Sequence, residues 1–439
     1  MSARRFLFHA ERCTGCEACV LGCWMENRAA QTLPWRTVHT SNPHRRPDLP
    51  VFHLSLACHH CDDPACLENC PADAYAKDPA TGAVTLRQEA CMGCRYCTWA
   101  CPHDAPKFSP AAGTVEKCTF CPDREEPACV ARCPVEALEM EPRAQAGPAP
   151  FGLPGWDLGP GVRITGEPAA PRFAAPPPAA GVLEGLLRVP EPKITLRGEW
   201  TLVAFTTILA VLTARMAAGV PFPHPWPYLA AGGASMALSA LHLGRPERAW
   251  RAALNLRSSW LSREITLASL FLALCAAVFL GLAPAWAAAA AGFAALCAVD
   301  RVYRVALKVP PFNLHSGHAL LNGVYLAAVL AGNAPLAVAA GALKALLYGW
   351  RKAHFARRGR GLRPLVSLAR VAAGFVLPGL VPAPWAALAV VLGDLVDRCE
   401  YYDELEIPSP GAALSRSWSF GNARRSRLRI SGGSEAKSS

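Results

Sequence analysis

The chain has 439 residues, of which 52% are hydrophobic, and its formal net charge is +11. This length allows two or three domains with a large buried or lipid-facing surface, and it excludes a small disulfide-stapled fold. The basic balance does not indicate nucleic acid as a partner, because the positive charges are concentrated in short connections between apolar segments.

The first third of the chain carries most of the cysteines. Sixteen of the nineteen cysteines lie before residue 134, in four groups. The groups are Cys13, Cys16, Cys19, Cys23; Cys58, Cys61, Cys66, Cys70; Cys91, Cys94, Cys97, Cys101; and Cys118, Cys121, Cys129, Cys133. No apolar signal core precedes the first cysteine, so we expect metal-bound thiolates in a reducing compartment rather than disulfides.

The spacing within the groups indicates iron–sulfur clusters. Each group ends in C-x3-C, and Pro71, Pro102 and Pro134 follow three of them. In two-cluster ferredoxins, three closely spaced cysteines bind one cubane and the fourth, before proline, binds the neighbouring cubane. Sixteen thiolates, at four per cubane, would hold four [4Fe-4S] clusters. Four-cysteine zinc sites are the alternative, which the spacing disfavours because they normally use two separated cysteine pairs.

These motifs carry a family resemblance. The stretches "CHHCDDPACLENCP", "CMGCRYCTWACPHDAPKF" and "KCTFCPDREEPACVARCPVEAL" resemble the four-cluster electron-transfer subunit of the dimethyl sulfoxide reductase family of molybdenum enzymes. The resemblance implies an α+β, double-ferredoxin-like iron–sulfur domain over residues 1–141. It also implies a ligand pairing: Cys13, Cys16, Cys19 with Cys133; Cys118, Cys121, Cys129 with Cys23; Cys58, Cys61, Cys66 with Cys101; and Cys91, Cys94, Cys97 with Cys70.

Two segments have the composition of a linker and a tail. Residues 142–192 are rich in proline, alanine and glycine without sustained periodicity, which is typical of a tether or of a segment lying across a partner. Residues 406–439 form a basic tail that we expect to be disordered.

Residues 193–405 are predicted to form an all-α membrane anchor. Apolar runs of about 16 to 20 residues, near the length that crosses a bilayer as a helix, recur there. We predict about eight transmembrane helices, at 200–219, 228–243, 264–283, 284–302, 314–331, 334–350, 364–380 and 384–402. A large soluble helical domain is the alternative, but several runs are apolar on every face.

The loop charges predict an orientation in a bacterial inner membrane. The connections after the second, fourth and sixth spans carry fourteen Lys and Arg residues, whereas the other side carries only Arg215. The positive-inside rule places these connections, both termini and the iron–sulfur domain in the cytoplasm. Export of the iron–sulfur domain with a partner that bears a twin-arginine leader is the alternative.

The second half resembles the membrane anchor subunit of the same family, through "RGEWTLVAFT", "ALHLGRPERAWRAALNLRSSWLSREI" and "GDLVDRCEYYDE". The chain therefore looks like a fusion of two subunits that are commonly separate. The family's histidine in H-L-G-x-P maps onto His242, which implies a role in menaquinol binding. Quinol oxidation needs a base, and histidine fits this need; Arg245 and Glu264 are further candidates for the site.

Lys344, Arg370 and Asp394 lie inside predicted spans. A charge at the centre of a bilayer costs about 2.5 to 3.5 kcal/mol, so each should have a partner or a water path. Lys344 could alternatively extend to the interface.

The resemblance implies an electron-transfer and membrane-anchor subunit that oxidises menaquinol from the quinone pool. A separate catalytic subunit with a molybdopterin cofactor would then reduce an S-oxide or N-oxide such as dimethyl sulfoxide. In the first alternative function, electrons flow in the reverse direction, from the oxidation of sulfite or another sulfur compound to quinone. The second rival is a pure membrane anchor in which the clusters are structural.

Overall fold

A computed structural model describes residues 3–28, 32–41, 51–144, 153–166, 194–220, 224–304, 314–357, 363–405 and 407–411. The chain divides into two compact units, one built mainly from the described residues up to 166 and the other mainly from those after 193. Most of the basic tail, from residue 412 onwards, lies outside the described residues.

The first unit combines short strands with short helices. Its elements are β1 (Arg4–His9), α1 (Ala18–Asn27), β2 (Thr37–Thr40), β3 (His53–Leu56), α2 (Ala65–Glu68), β4 (Tyr75–Lys77), β5 (Val84–Leu86), α3 (Tyr96–Ala100), β6 (Lys107–Ser109), β7 (Thr114–Glu116), α4 (Ala128–Ala131), β8 (Leu138–Pro142) and β9 (Val162–Thr165). The pairs β2–β3, β4–β5 and β6–β7 are antiparallel hairpins. Helix α1 packs against α4, and α2 packs against α3.

Part of the predicted linker belongs to this unit. Strand β1 pairs antiparallel with β8 and parallel with β9, in the order β8-β1-β9. Since β9 lies within residues 142–192, the stretch 153–166 is a strand and a 3₁₀ turn at Trp156–Leu158 rather than a free tether. Residues 145–152 and 167–193 lie outside the described part of the chain.

The second unit is helical. Its helices are α5 (Leu196–Ala217), α6 (Pro225–Ala240), α7 (Trp260–Phe279), α8 (Ala285–Arg304), α9 (Ala319–Leu330), α10 (Ala334–Arg357), α11 (Pro364–Val371) and α12 (Ala383–Glu404). A 3₁₀-helix, Pro246–Ala253, follows α6, and a π-turn, Ala372–Val376, with a 3₁₀ turn, Leu377–Gly379, extends α11. Helix α5 packs against α6, α8, α9 and α12.

Glycines end three of the helices. Gly219, Gly281 and Gly332 follow α5, α7 and α9 with φ between 66° and 74°, and their amides donate to carbonyls three residues earlier. Only glycine takes this left-handed conformation without strain, so each glycine ends its helix and turns the chain.

Among the described residues, three helices are long and apolar enough to cross a membrane: α5, α7 and α8. Helix also covers most of each of the other five predicted spans. However, α6 and α9 are 16 and 12 residues long, and the seventh predicted span is broken at the π-turn. Helices α10 and α12 have 24 and 22 residues, but they carry more charge than a simple membrane span. The structure therefore supports a helical region with three candidate spans.

The charges of α10 and α12 face one another. Asp394, Asp397, Glu400 and Glu404 recur at intervals of three or four residues, which puts them on one face of α12. The cations opposite them are Lys344, Arg351 and Lys352 of α10, together with Arg370 of α11. We call these eight residues the ionic ladder.

The inner end of the ionic ladder is fully buried. Lys344 Nζ lies 2.8 Å from Asp394 Oδ1, and it donates to the carbonyl of Ser316 at 3.0 Å. Arg370 Nη2 lies 3.3 Å from Asp394 Oδ1 and 3.2 Å from Asp397 Oδ2. Lys344, Arg370 and Asp397 are each 0% exposed. The prediction that Lys344, Arg370 and Asp394 have partners is confirmed, and the alternative that Lys344 extends to the interface is wrong.

The outer end of the ionic ladder is partly exposed. Arg351 lies 3.1 Å from Asp397, 3.4 Å from Glu400 and 3.0 Å from Glu404. Lys352 lies 2.7 Å from both Glu400 and Glu404. Arg351 and Lys352 are therefore helical residues paired with carboxylates of α12, whereas the sequence analysis counted them in the connection after the sixth span.

Two glycines make room for Arg370. A Cβ at Gly374 would lie 1.5 Å from Arg370 Nη1, and a Cβ at Gly393 would lie 2.5 Å from the Cα of Gly374. The π-turn and α12 can approach this closely only because neither residue has a side chain. The buried guanidinium occupies the space that is left.

The ionic ladder predicts a charge-balance effect on stability. We expect Asp394→Asn to lower the free energy of unfolding by about 3 to 5 kcal/mol, because it leaves buried cations without their carboxylate. The double variant Lys344→Met/Asp394→Asn restores the balance, and we expect it to be more stable than Asp394→Asn alone. Thermal unfolding in detergent measures the stability of both variants. If the stability lost in the double variant is the sum of the losses from the two single substitutions, the expectation is wrong.

Candidate iron–sulfur and quinol sites

The four cysteine groups share a backbone conformation. The second residue after the first cysteine of each group has a positive φ: Gly15 at 74°, His60 at 43°, Gly93 at 71° and Phe120 at 72°. The third residue after the last cysteine does so in three groups, at Asp73, Asp104 and Glu136. A left-handed residue between two cysteines reverses the chain locally. The repeat in conformation therefore follows the repeat in sequence.

The fold brings cysteines from different groups together. Burial raises the pKa of Cys13, and the nearby thiols of Cys19, Cys133 and Cys16 raise it further. A small cavity is lined by the same four cysteines. We call this set site 1.

Site 2 combines Cys23 with Cys118, Cys121 and Cys129. Burial raises the pKa of Cys23 to about 12, and the neighbouring thiols of Cys129 and Cys121 contribute. Cys118 has Cys23 and Cys129 among its neighbours. The closing cysteine of the first sequence group therefore lies with the last group.

Sites 3 and 4 exchange cysteines in the same way. Burial raises the pKa of Cys61, and the thiols of Cys58, Cys101 and Cys66 raise it further; these four line a second small cavity and form site 3. Burial likewise raises the pKa of Cys97, whose thiol neighbours are Cys94, Cys91 and Cys70; these four form site 4. These neighbours agree with the four sets that the family resemblance implies, although Cys118 also lies beside Cys58 of site 3; the assignment of each set to one cluster stays a prediction.

The sites form a row in the order 1-2-3-4. Cys19 of site 1 neighbours Cys129 of site 2, and Cys118 of site 2 neighbours Cys58 of site 3. The buried ring of Tyr75 has Cys66 of site 3 and Cys97 of site 4 among its neighbours. Each site is therefore adjacent to the next.

The donor set fits iron–sulfur clusters. Buried thiols with raised pKa values become thiolates when metal cations bind them. Backbone amides already point at several sulfurs: Ala137 N donates to Cys133 Sγ at 3.2 Å, Ala74 N to Cys70 Sγ at 3.3 Å, and His60 N to Cys58 Sγ at 3.4 Å. Such hydrogen bonds help to set cluster potentials. Among the described residues, no three His, Cys, Asp or Glu side chains have the spacing to share one metal ion. A cubane does not need this spacing, because its ligands bind four different irons.

Sequence reasoning missed two buried cations beside these sites. Lys117, which is 3% exposed, donates to the carbonyl of Cys118 at 2.8 Å, and Arg36 is equally buried. Lys117 adjoins a cysteine and could have been noticed. Arg36 is thirteen residues from the nearest cysteine in sequence, so only the fold reveals it.

The predicted quinol residues lie on three elements. His242 is half-buried in the turn after α6, Arg245 precedes the following 3₁₀-helix, and Glu264 is in α7. Arg245 lies 3.8 Å from Glu247, and both side chains are largely exposed. Glu264 is only 5% exposed, and its charged neighbours are Arg398 and Asp300. Of the three, Glu264 is the one that the structure buries among ionisable groups.

A polar cluster surrounds Glu264. Arg398 of α12 donates to Thr206 Oγ1 and to the Gly317 carbonyl, both at 3.0 Å. The hydroxyls of Tyr303 and Tyr402 hydrogen-bond to each other, and Arg398 Cζ lies 5.5 Å from the Tyr303 ring. The motif "GDLVDRCEYYDE" contains Arg398 and Tyr402, but the sequence did not indicate that they lie near Glu264. The cluster can accept, hold or donate a proton inside the bundle.

The folds and sites define an iron–sulfur electron-transfer domain of ferredoxin type, joined to a helical membrane anchor. A family model described as a 4Fe-4S dicluster domain matches residues 49–143, and one described as the DMSO reductase anchor subunit (DmsC) matches residues 226–286. The second match includes His242, Arg245 and Glu264.

Curated relatives match the cysteine-rich half. The chain is 35% identical over 150 residues to the B subunit of the anaerobic dimethyl sulfoxide reductase of Haemophilus influenzae, which is 31% of this chain and 73% of that protein. It is 34% identical over 154 residues to the formate dehydrogenase-O iron–sulfur subunit of Escherichia coli, or 30% of this chain and 51% of that protein. The chain belongs to the family of dimethyl sulfoxide reductase iron–sulfur subunits, and its two domains are consistent with a fusion of iron–sulfur and anchor subunits.

The cysteine grouping predicts which substitutions affect the same cluster. We expect Cys101→Ser to alter the electron paramagnetic resonance signal that Cys61→Ser alters, and to spare the one that Cys94→Ser alters. The reason is that Cys101 lies at site 3, although its sequence group is otherwise at site 4. Cys275→Ser, in α7, is the control and should change no signal. If Cys101→Ser and Cys94→Ser lose the same electron paramagnetic resonance signal, and Cys61→Ser loses a different one, the grouping is wrong.

Proposed function

We propose that this chain takes electrons from menaquinol and passes them, through four [4Fe-4S] clusters at sites 1 to 4, to a separate catalytic subunit that carries a molybdopterin cofactor. That subunit would reduce an S-oxide or N-oxide such as dimethyl sulfoxide. The observation that carries the proposal is the row of four adjacent four-cysteine sites on a chain that also has an anchor-subunit domain.

Clusters of this type, when bound, supply one-electron transfer, since irons saturated with thiolate have no open position for a substrate. The cysteines of sites 1 to 4 would hold the clusters, and the surrounding backbone amides and buried cations would stabilise their negative charge. The chain itself then needs no substrate-binding pocket for the terminal reaction. A catalytic partner has to provide that pocket.

Quinol oxidation releases two protons together with two electrons, so the chain must accept protons inside or beside the bundle. We assign this role to Glu264, with Arg398 holding its charge, and we place His242 and Arg245 at the quinol headgroup. Support comes from the burial of Glu264 within the polar cluster and from the anchor-family match across all three residues.

For the anchor we propose eight transmembrane segments in a bacterial inner membrane, with the iron–sulfur domain in the cytoplasm. The ionic ladder supports a membrane position for α10 and α12, because it neutralises the charges that lower their hydropathy. Protease digestion of intact spheroplasts distinguishes the sides: cleavage within residues 1–141 would place the iron–sulfur domain outside the cytoplasm.

One observation favours the reverse direction of electron flow. The cysteine-rich half is also similar to the formate dehydrogenase-O iron–sulfur subunit, a protein named for a dehydrogenase. In that direction the chain would deliver electrons to quinone from a partner that oxidises sulfite or another sulfur compound. The identity of the subunit that co-purifies in detergent separates the two directions.

The quinol proposal predicts a selective loss in Glu264→Gln. Without a carboxylate to accept the quinol proton, we expect cluster reduction by a reduced menaquinone analogue to slow by about 10²-fold or more. Reduction by dithionite should be unchanged, since it needs no quinol site. Stopped-flow absorbance of the purified chain in detergent measures both reactions.

Glu125→Gln is the control, because Glu125 is an exposed glutamate of the first unit and has no part in the proposed quinol site. Its rate with the menaquinone analogue should equal that of the unmodified chain. An unchanged quinol rate in Glu264→Gln would remove Glu264 from the proton-accepting role. Iron content near zero in the unmodified chain would end the proposed function itself.

A further inference from the structure

Arg36 is a buried cation among the thiols of two sites. It precedes strand β2 and is 3% exposed. Its thiol neighbours, from the strongest interaction to the weakest, are Cys129, Cys19, Cys118 and Cys23. Three of these belong to site 2 and one to site 1. The guanidinium therefore lies beside the junction of two neighbouring sites.

The hydrogen bonds of Arg36 fix its position. Nη1 donates to Ser55 Oγ at 3.1 Å and to the Ser55 carbonyl at 3.3 Å. The same Ser55 hydroxyl lies 3.2 Å from Cys19 Sγ, and Arg36 Cζ stacks 5.0 Å from the centre of the Phe6 ring. Strands β1 and β3 thus hold the guanidinium, and one hydroxyl connects it to a ligand of site 1.

Burying a charged guanidinium costs several kcal/mol unless an opposite charge compensates for it. Within the described residues, Arg36 Nε has no hydrogen-bond partner, and the groups beside the side chain include thiols, the Phe6 ring and the buried imidazoles of His59 and His60, none of which is a carboxylate. Ionised thiolates would provide the missing negative charge. The position of Arg36 is therefore explained when sites 1 and 2 hold anionic, thiolate-bound groups.

We propose that Arg36 is a fixed counter-charge that raises the reduction potentials of the clusters at sites 1 and 2 relative to those at sites 3 and 4. This inference rests on the proposed function only in requiring the clusters to be bound. When a cluster accepts one electron, its negative charge increases by one, and a neighbouring positive charge favours that form. The guanidinium does not lose its proton, so no proton accompanies the electron on its account.

The magnitude can be bounded. A unit charge beside a cluster interacts with it more strongly in the protein interior than in water, because the effective dielectric constant there is only about 20. Loss of the charge should therefore reduce the equilibrium constant for cluster reduction by at least about tenfold, which for one electron is about 59 mV.

The test is a potentiometric titration of the full chain in detergent, followed by electron paramagnetic resonance, with Arg36→Gln and Arg36→Lys. We expect Arg36→Gln to lower the reduction potentials of two clusters, each by about the 59 mV that corresponds to a tenfold smaller equilibrium constant for reduction. The potentials of the other two clusters should stay nearly unchanged. Arg36→Lys keeps the charge and should stay close to the unmodified chain. Arg124→Gln removes a largely exposed arginine and should shift none, because water screens that charge.

Several results would overturn the proposal. These are unchanged potentials in Arg36→Gln at full iron content, equal shifts at all four clusters, and equal shifts in the Lys and Gln variants, which would indicate packing rather than charge. If Arg36→Gln loses iron, retention of iron by Arg36→Lys supports the counter-charge and equal loss contradicts it. Chemical mediators set the potential, so the outcome does not depend on quinol or on the catalytic partner.

Discussion

The first unit depends on the convergence of four sulfurs at each of four positions. Its helices other than α1 have four or five residues and its strands three to six, lengths that are not stable alone in water. Each site takes three cysteines from one group and the fourth from another, so binding at one site connects two distant parts of the chain. Because metal binding and folding are coupled when a preformed site is absent from the unfolded state, cluster ligation at these sites would supply much of the energy that holds these short elements together.

The second unit meets an opposite constraint, since it must keep charges in an apolar bundle. Lys344 and Arg370 are fully buried, yet each has a carboxylate of α12 within 3.3 Å. The polar cluster around Glu264 follows the same rule, with Arg398 facing a carboxylate and two tyrosines. Charge inside this bundle is thus kept in balanced groups, and the composition of α10 or α12 alone does not reveal this balance.

Sequence reasoning predicts local features well and distant contacts poorly. The cysteine spacing identifies the cluster loops because a left-handed residue and short intervals act within a few positions. The spacing also indicates that the fourth cysteine of a group binds a neighbouring cluster. Which cluster Cys23, Cys70, Cys101 and Cys133 each join came only from the family resemblance, since it depends on contacts between distant parts of the chain. Strand β9 was interpreted as linker because its proline-rich surroundings dominate the composition. The position of Arg36 beside the cysteines and the partners of Lys344 could not be predicted from the sequence, because they depend on contacts between residues 19 and 50 positions apart.

The two sides of the ionic ladder are synthesised at different times. Helix α10 leaves the ribosome before α12, so its cations are made before the carboxylates that neutralise them. A translocon that released each helix singly into lipid would have to expose Lys344 and Arg351 to hydrocarbon. As proposed membrane segments, the last three helices would therefore have to be retained in a polar environment and enter the bilayer together, so that residues 334–404 would be inserted in a single step.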